Sequence, residues 1–460
     1  MATDSYDVAI LGGGPGGYAT AFFSNSLGLR PVVIEKDLVG GTCLHRGCIP
    51  AKTWLNAAET YATIAEAEAF GVRANDVEVD WPTALRRKET VVSGLHRGLR
   101  RTFEHRDIPV VTGVGRVSGP GELSVEGPDG AMVVSADKLV VATGSRPMTV
   151  PGFEVDGRYV VSSDEALEWE ERPASVVIIG GGAIGCEFAS LLSDLGSEVT
   201  VIEMLDQILP GVDVDVAREL QGRLRRRGVR FLLGTSAGPP SIHGDKVRIE
   251  TDGETVESDV VLVAVGRRPN TEGIGLEEAG VTLDRGFVEV DHETMETRLS
   301  GVFAVGDIVA GTPQLAHAGF AEGLTASRFI ATGEKGPVDY SAIPLVVYTR
   351  PEVAQIGLTE KTAGEMGVEV QVHQRPFGGS GRAMIKGEKR GIVKLLISDS
   401  NQLVGASIAG PHAGELIHEL MITLGTHTDI TDVGPLIHAH PSLSETIGES
   451  LLAASGLGLH

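Results

Sequence analysis

An internal repeat constrains this chain more than any other feature. Residues 7–35 read DVAILGGGPGGYATAFFSNSLGLRPVVIE, and residues 175–203 read SVVIIGGGAIGCEFASLLSDLGSEVTVIE. The two align without a gap. Each is a short apolar run, a glycine cluster, a helix-like stretch closed by Leu-Gly, and a second apolar run ending in glutamate. Gly12, Gly14 and Gly17 in the first copy, and Gly180, Gly182 and Gly185 in the second, have the GxGxxG spacing. Such a turn needs one glycine to bend tightly, one to admit a pyrophosphate to the backbone, and one to let helix pack on strand. The helix N-terminus then offers unpaired N–H groups and a positive dipole to the phosphates. Glu35 and Glu203 each follow the first glycine of their turn by 23 residues, where an acid binds ribose hydroxyls. A lone GxGxxG is weak, since glycine turns are common. Two copies in register, each with its acid, predict two bound dinucleotides. Met204 and Leu205 follow Glu203, and no arginine stands there to meet a 2′-phosphate, so the second site favours NAD over NADP.

A length of 460 residues suggests roughly three domains. LVVATGSRP (139–147) and VVLVAVGRRPN (260–270) each end an apolar strand in a glycine turn, where the chain leaves one nucleotide domain and then the other. After Pro344 the pattern changes to the strands LVVYT, GIVKLLI and LVGASIAG followed by helices. The expected fold is α/β, with two Rossmann-like dinucleotide-binding domains and a C-terminal α+β domain. The expected boundaries are 1–150 and 271–343 for the first nucleotide domain and central region, 151–270 for the second, and 344–460 for the last. The balance of 39 basic and 62 acidic residues, a net −23, repels nucleic-acid phosphate and anionic membranes. A basic helix expected between Pro82 and Arg106, with Arg86, Arg87, Lys88, Arg97, Arg100 and Arg101, reads more readily as a solvated face than as an anion site. Neither a signal-peptide pattern nor an apolar run of membrane-spanning length occurs, and a cytoplasmic location is expected.

Only three cysteines occur, Cys43, Cys48 and Cys186, too few for a disulfide-stapled scaffold. Cys43 and Cys48 sit in GGTCLHRGCIPAK, just after Glu35. Their spacing is too wide for a thioredoxin motif, and there is no second pair for zinc. A short loop or distorted helical turn can still bring the sulfurs to bonding distance. Two thiols beside a flavin-sized site read as a redox-active disulfide. The competing reading is two buried thiols at a helix start, as Cys186 is within its own helix.

GGTCLHRGCIPAK together with IGCEFAS, VAVGRRPN, GVFAVGD and HAHPSLSE resembles the pyridine nucleotide–disulfide oxidoreductases of class I, most closely their dihydrolipoamide dehydrogenase branch. The resemblance runs from the N-terminus to about Ile447. It implies FAD at the first glycine turn and NAD at the second. It also implies a redox disulfide in which Cys43 attacks substrate and Cys48, as thiolate, contacts the flavin. Lys52, one helical turn after Cys48, would sit by the flavin ring, paired with Glu187. Asp307 matches the aspartate near the ribityl chain, and Leu315, Ala316 and His317 match the loop and helix start beneath the flavin. Gly115, Thr143, Gly144 and Ser145 complete the implied FAD contacts, and Glu187 and Gly266 the implied NAD contacts.

Thiol–disulfide exchange needs a base to take a proton from the incoming dithiol and return one to the leaving sulfur. His440 matches the family base and Glu445 the acid that orients it. Ser442-x-x-Glu445 also reads as a capping box, and His438-x-His440 as half a metal site without further clustered ligands. Ala51 and Trp54 depart from the family pattern, which has a small hydroxyl residue and an aliphatic one there. The C-terminus SLLAASGLGLH carries no cysteine, unlike mercuric reductase and the larger thioredoxin reductases. The implied activity is oxidation of dihydrolipoamide through FAD to NAD, by a homodimer serving the lipoyl-bearing acyltransferase core of a 2-oxoacid dehydrogenase complex or a similar lipoyl protein. With no lipoyl-bearing N-terminal extension, the substrate is expected to be a separate molecule or protein. An NAD-linked reductase of another low-molecular-weight disulfide and a non-catalytic docking paralogue are the alternatives.

Overall fold

The computed structural model describes residues 6–458. The described residues form two compact units, one of residues 6–53, 85–148 and 267–340, the other of residues 54–84, 149–266 and 341–458. In the first unit, strands Tyr6–Leu11 and Pro31–Glu35 pair in parallel, with Val110–Thr112 beyond Pro31–Glu35. Strand Gly130–Val141 lies on the other side of Tyr6–Leu11, and its inner end also pairs in parallel with Val302–Ala304. The outer end of Gly130–Val141 continues into an antiparallel meander with Val114–Gly119 and Glu122–Gly127. Val8–Leu11, Val32–Ile34, Leu139–Val141 and Val302–Ala304 are all buried. Near-continuous apolar runs of this kind suit strands covered on both faces. Each buried branched side chain contributes about 1.5–3 kcal/mol.

Helices Pro15–Ser26 and Ala316–Thr332 pack closely because small residues face one another. A Cβ on Gly319 would lie 3.3 Å from the Gly16 backbone, and one on Gly323 would lie 2.7 Å from the Thr20 hydroxyl. The hydroxyls of Ser24 and Ser327 hydrogen-bond at 3.0 Å further along the same seam. Larger residues would splay the pair and part the two helix N-termini, which both open on the first glycine turn.

The second unit holds the other repeat copy. Its parallel sheet runs in the order Arg230–Leu233, Glu198–Glu203, Ser175–Ile179, Val260–Val263, Val160–Val161. The C-terminal part is an antiparallel sheet, in the order Leu345–Val347, Glu352–Gly357, Leu403–Gly410, Ile392–Ser398, Val370–Pro376. Helices Ala413–Gly425 and Ser444–Ala454 pack on it through Leu416, Ile417, Leu420, Ile447 and Leu451. Two Rossmann-like sheets and a C-terminal α+β element are the architecture expected from the repeat and from the change of pattern after Pro344.

The basic helix spans Trp81–His105. Most of its arginines are solvated, but Lys88 is buried. It falls on the stripe with Trp81 and Val92, so it belongs to the packed face rather than to the charged one. No helix among the described residues is long and apolar enough to cross a membrane.

Candidate active site

The two glycine turns are built alike. Gly12 has φ +109° and Gly180 φ +104°, the left-handed region where a side chain is strained. A Cβ on Gly12 would meet the Ala142 carbonyl at 2.3 Å, and one on Gly180 the Ala264 carbonyl at 2.5 Å. A Cβ on Gly17 or Gly185 would lie within 2.0 Å of the carbonyl oxygen of Gly12 or Gly180. The middle glycines are different: Gly14 meets only Gly41 at 3.8 Å, and Gly182 has nothing within 4 Å. Space is left where a pyrophosphate would approach. Gly14 and Gly182 begin helices Pro15–Ser26 and Ala183–Asp194 with no side-chain cap, so their first N–H groups are available to phosphate.

The glutamates are held in the same way. Glu35 Oε2 accepts from Gly13 N at 2.7 Å and Oε1 from Asp37 N at 2.8 Å. Glu203 Oε2 accepts from Gly181 N at 2.7 Å and Oε1 from Leu205 N at 2.9 Å. Each carboxylate oxygen keeps a further lone pair for a ribose hydroxyl. The residues present therefore fit a dinucleotide at both turns.

The cysteine loop is fastened to the first turn. Gly40 N donates to Gly13 O at 2.8 Å, and a Cβ on Gly41, which has φ +56°, would lie 2.7 Å from Gly14 Cα. A short helix, Gly41–His45, ends at Arg46, and a new helix, Cys48–Ala65, begins on the second cysteine. The broken helix brings the sulfurs together. Both are thiols, and the pair shares a hydrogen bond that, with burial, pushes the Cys43 thiol far up while nearby Lys52 pulls it down. Cys186 is buried in the second glycine turn's helix, its thiol donating to Gly181 O at 3.2 Å.

Asp307 and Ser145 meet beside this loop, where Thr42 Oγ1 donates to Ser145 O at 3.4 Å. Ser145 Oγ donates to Asp307 Oδ2 at 2.5 Å and accepts from Arg267 Nε at 2.7 Å. Gln314 Nε2 donates to Asp307 O at 3.1 Å, and Thr143 Oγ1 to Asn270 O at 2.7 Å. Gly144 and Gly266 turn the chain at φ +68° and φ +121°. Leu315 starts helix Ala316–Thr332, with His317 exposed in its first turn. Gly115 serves packing, because a Cβ there would lie 2.4 Å from Leu11 Cδ1.

In the second unit, Glu187 is buried and its Oε1 accepts from Tyr348 N at 3.0 Å. His440 Nδ1 lies 2.8 Å from Glu445 Oε1. Glu445 Oε2 accepts from Ser442 N at 2.7 Å, and Ser442 Oγ accepts from Glu445 N at 3.3 Å. The capping box and the orienting carboxylate are thus one structure. The Ser442 amide, and then His440, hold the Glu445 carboxyl below the usual carboxylate range. A carboxylate on Nδ1 fixes the tautomer that leaves Nε2 to exchange a proton. The His440 side chain is 79% exposed. His438 pairs with a different acid, Glu419, at 2.7 Å. The Trp54 indole N–H donates to Leu167 O at 3.2 Å, and its ring stacks on Trp81.

Sequence reasoning missed Glu322. It is fully buried on helix Ala316–Thr332, where Oε2 accepts from Gly306 N at 2.5 Å and Oε1 from Tyr340 Oη at 3.0 Å. It therefore braces the turn that carries Asp307. The available signal was its place on the small-residue stripe with Gly319, Gly323 and Ala326, where a charge is out of character. Burial pushes its carboxyl from 4.5 up to about 7. The folded state holds this proton more tightly than the unfolded chain, so its contribution to stability is full below about pH 4.5 and is lost as pH rises through 7. At about 1.4 kcal/mol per pH unit this amounts to about 3 kcal/mol. Glu322→Gln should flatten the stability curve over that interval in denaturation series at several pH values. An unchanged slope would exclude Glu322 as its source.

Residues 6–323 match the family model described as pyridine nucleotide-disulphide oxidoreductase, and residues 343–451 match its dimerisation domain. The chain is 41% identical to a dihydrolipoyl dehydrogenase of Bacillus subtilis, covering 100% of both chains. It is 40% identical to one of Chlamydia muridarum, covering 99% of this chain and 98% of the other. Among solved structures it superposes on LpdA of Mycobacterium tuberculosis with a TM-score of 0.91 at 27% identity, over 98% of this chain and 99% of that one. The flavoprotein disulfide reductase RclA of Escherichia coli superposes with a TM-score of 0.87 at 27% identity, covering 98% and 99%.

Proposed function

Because this chain belongs to the pyridine nucleotide-disulphide oxidoreductases, we infer that it catalyses the dihydrolipoyl dehydrogenase reaction, oxidising dihydrolipoamide and reducing NAD with FAD as intermediary. The observation that carries this reading is the cysteine pair, held together on a loop pinned to the first of two dinucleotide turns. Full-length likeness to dihydrolipoyl dehydrogenases supports it.

The chemistry assigned to the residues follows from thiol exchange. His440 Nε2 takes a proton from one thiol of the substrate. The resulting thiolate attacks Cys43 Sγ, a substrate–Cys43 bond forms as the Cys43–Cys48 bond breaks, and Cys48 departs as thiolate. The second substrate thiol then attacks the mixed disulfide and closes the lipoamide ring; its proton goes to the departing Cys43, and His440 keeps the first proton, balancing the Cys48 thiolate. Glu445 holds the imidazole and stabilises its cationic form. Lys52 favours the thiolate at the cysteine pair, and Glu187 is its assigned partner. Gly12, Gly14, Gly17, Glu35, Gly115, Thr143, Gly144, Ser145, Asp307, Leu315, Ala316 and His317 are assigned to FAD. Gly180, Gly182, Gly185, Glu187, Glu203 and Gly266 are assigned to NAD. When bound, FAD supplies the two-electron step between dithiol and nicotinamide.

The proposal divides the chain into 1–150 and 271–343 around FAD, 151–270 around NAD and 344–460 as the interface domain. It places the protein in the cytoplasm as a homodimer, with a lipoyl-bearing acyltransferase core or similar lipoyl protein as partner. The match to a dimerisation domain supports the dimer.

Turnover with dihydrolipoamide and NAD, measured beside a panel of small disulfides with NADH, tests the function. Preference for any small disulfide over lipoamide would transfer the assignment to a reductase of that compound. The same assay tests the nucleotide. Glu203 would repel a 2′-phosphate, so kcat/KM should favour NAD over NADP by at least about a hundredfold, or about 2.7 kcal/mol. Glu203→Gln keeps an acceptor for Gly181 N and should narrow that ratio. Equal efficiency with both nucleotides in the unaltered protein would refute the role of Glu203.

A further inference from the structure

We propose that Lys394 and Gln355, on the C-terminal sheet, are positioning residues for the NAD site, acting through the segment 204–213. The inference rests on the assignment of NAD to the second glycine turn.

The segment follows directly on Glu203, and Met204 and Leu205 stand exposed at its start. Its far wall touches the turn itself. Leu209 N donates to Gly181 O at 2.7 Å, and a Cβ on Gly181 would lie 3.3 Å from Ile208 Cγ2. Leu209 adopts φ +51°, a left-handed conformation that a branched side chain holds only when its surroundings impose it. Those surroundings come from the other sheet. Gln355 Nε2 donates to Gly211 O at 3.1 Å, and Gln355 Oε1 accepts from Asp213 N at 2.8 Å and from Ser407 Oγ at 3.2 Å. One amide thus clamps both ends of the Gly211–Asp213 turn.

Lys394 makes the clamp rigid. Its side chain is 0% exposed, and its ammonium lies 2.9 Å from Asp213 Oδ2 and 2.8 Å from Asp215 Oδ2, with Glu360 as a third partner. Asp213 also caps helix Val214–Arg226, accepting from Asp215 N at 3.0 Å. Hydrophobic residues of similar volume often serve stability as well as a buried ion cluster does. Its consequence here is geometric: Asp213 cannot shift without exposing a dry charge. The restraint passes from Lys394 to Asp213, through Gly211 to Leu209, and from Leu209 to the carbonyl of Gly181. Gly181 N is in turn the group that orients Glu203.

Lys394→Met and Gln355→Leu in the FAD-loaded enzyme test this. In both, KM for NAD should rise by about tenfold, and amide exchange in a peptide spanning 204–213 should quicken. The rate at which dihydrolipoamide reduces the enzyme without NAD should stay within about twofold, since that half-reaction does not use the segment. Gln355→Leu keeps the ion cluster and supplies the measurement if Lys394→Met fails to fold. A lowered melting temperature with KM and exchange unchanged would overturn the proposal and leave a purely structural cluster. If the unaltered enzyme showed no saturable use of NAD, the site assignment would fall and this inference with it.

Discussion

Cys48→Ser should abolish turnover with dihydrolipoamide, and Cys43→Ser should do the same, but the two should part on their spectra. The thiols share one hydrogen bond, and that bond together with burial pushes Cys43 upward in pKa. In the proposed assignment Cys48 is the thiolate that contacts the flavin and Cys43 the thiol that meets substrate. A thiolate beside oxidised flavin gives a long-wavelength absorption band. Cys43→Ser should keep or enhance it, and Cys48→Ser should lack it. Cys186→Ser should change neither band nor rate, because its thiol is buried against the carbonyl of Gly181 in the second glycine turn. Loss of the band in the Cys186 variant alone would mean that the redox pair is misassigned.

His440→Ala should lower turnover by about 10²- to 10⁴-fold, the usual contribution of a general acid–base. Its more informative use is in mixing. His440 and Glu445 form their pair at the start of helix Ser444–Ala454, with the imidazole open to solvent within a single chain. If the proposed dimer brings this pair to the partner's cysteines, every active site is shared. A hybrid of one Cys43→Ser subunit and one His440→Ala subunit then keeps one intact site, built on the cysteines of the His440→Ala chain. Random reassortment of two inactive homodimers would make half of the dimers hybrid and restore about a quarter of wild-type activity. No recovery despite hybrids seen by native mass spectrometry, or full activity in an isolated monomer, would place the whole site within one chain.

Several parts of the site were legible because they are local. The GxGxxG turns, the glutamates Glu35 and Glu203 and the paired cysteines each lie within a few turns of chain, so spacing alone reports their geometry. The box Ser442-x-x-Glu445 was legible for the same reason, as a cap that also orients His440. Glu322 and Lys394 were not. Each is a charged residue at an apolar stripe position, and only the elements packed against it show where its partners come from. Lys88 was misplaced by the same limit, because a charge count along a helix does not say which side is covered. Gly115, assigned to FAD by resemblance, has a packing requirement of its own that only the fold shows, since a Cβ there would meet Leu11.

By itself, the sequence determined that this chain folds around two dinucleotide turns, that a thiol pair stands next to the first, and that a histidine–glutamate pair lies near the C-terminus. Those statements depend on short-range backbone geometry, where glycine, helix period and strand alternation leave few choices. Tertiary structure alone decided that Glu322 braces the turn before Asp307. It alone decided that the wall of the second turn is clamped from the C-terminal sheet by Gln355 and Lys394. Such contacts join residues separated by long stretches of chain. Their energy comes from desolvation and close packing, which no single segment possesses until the others have folded against it.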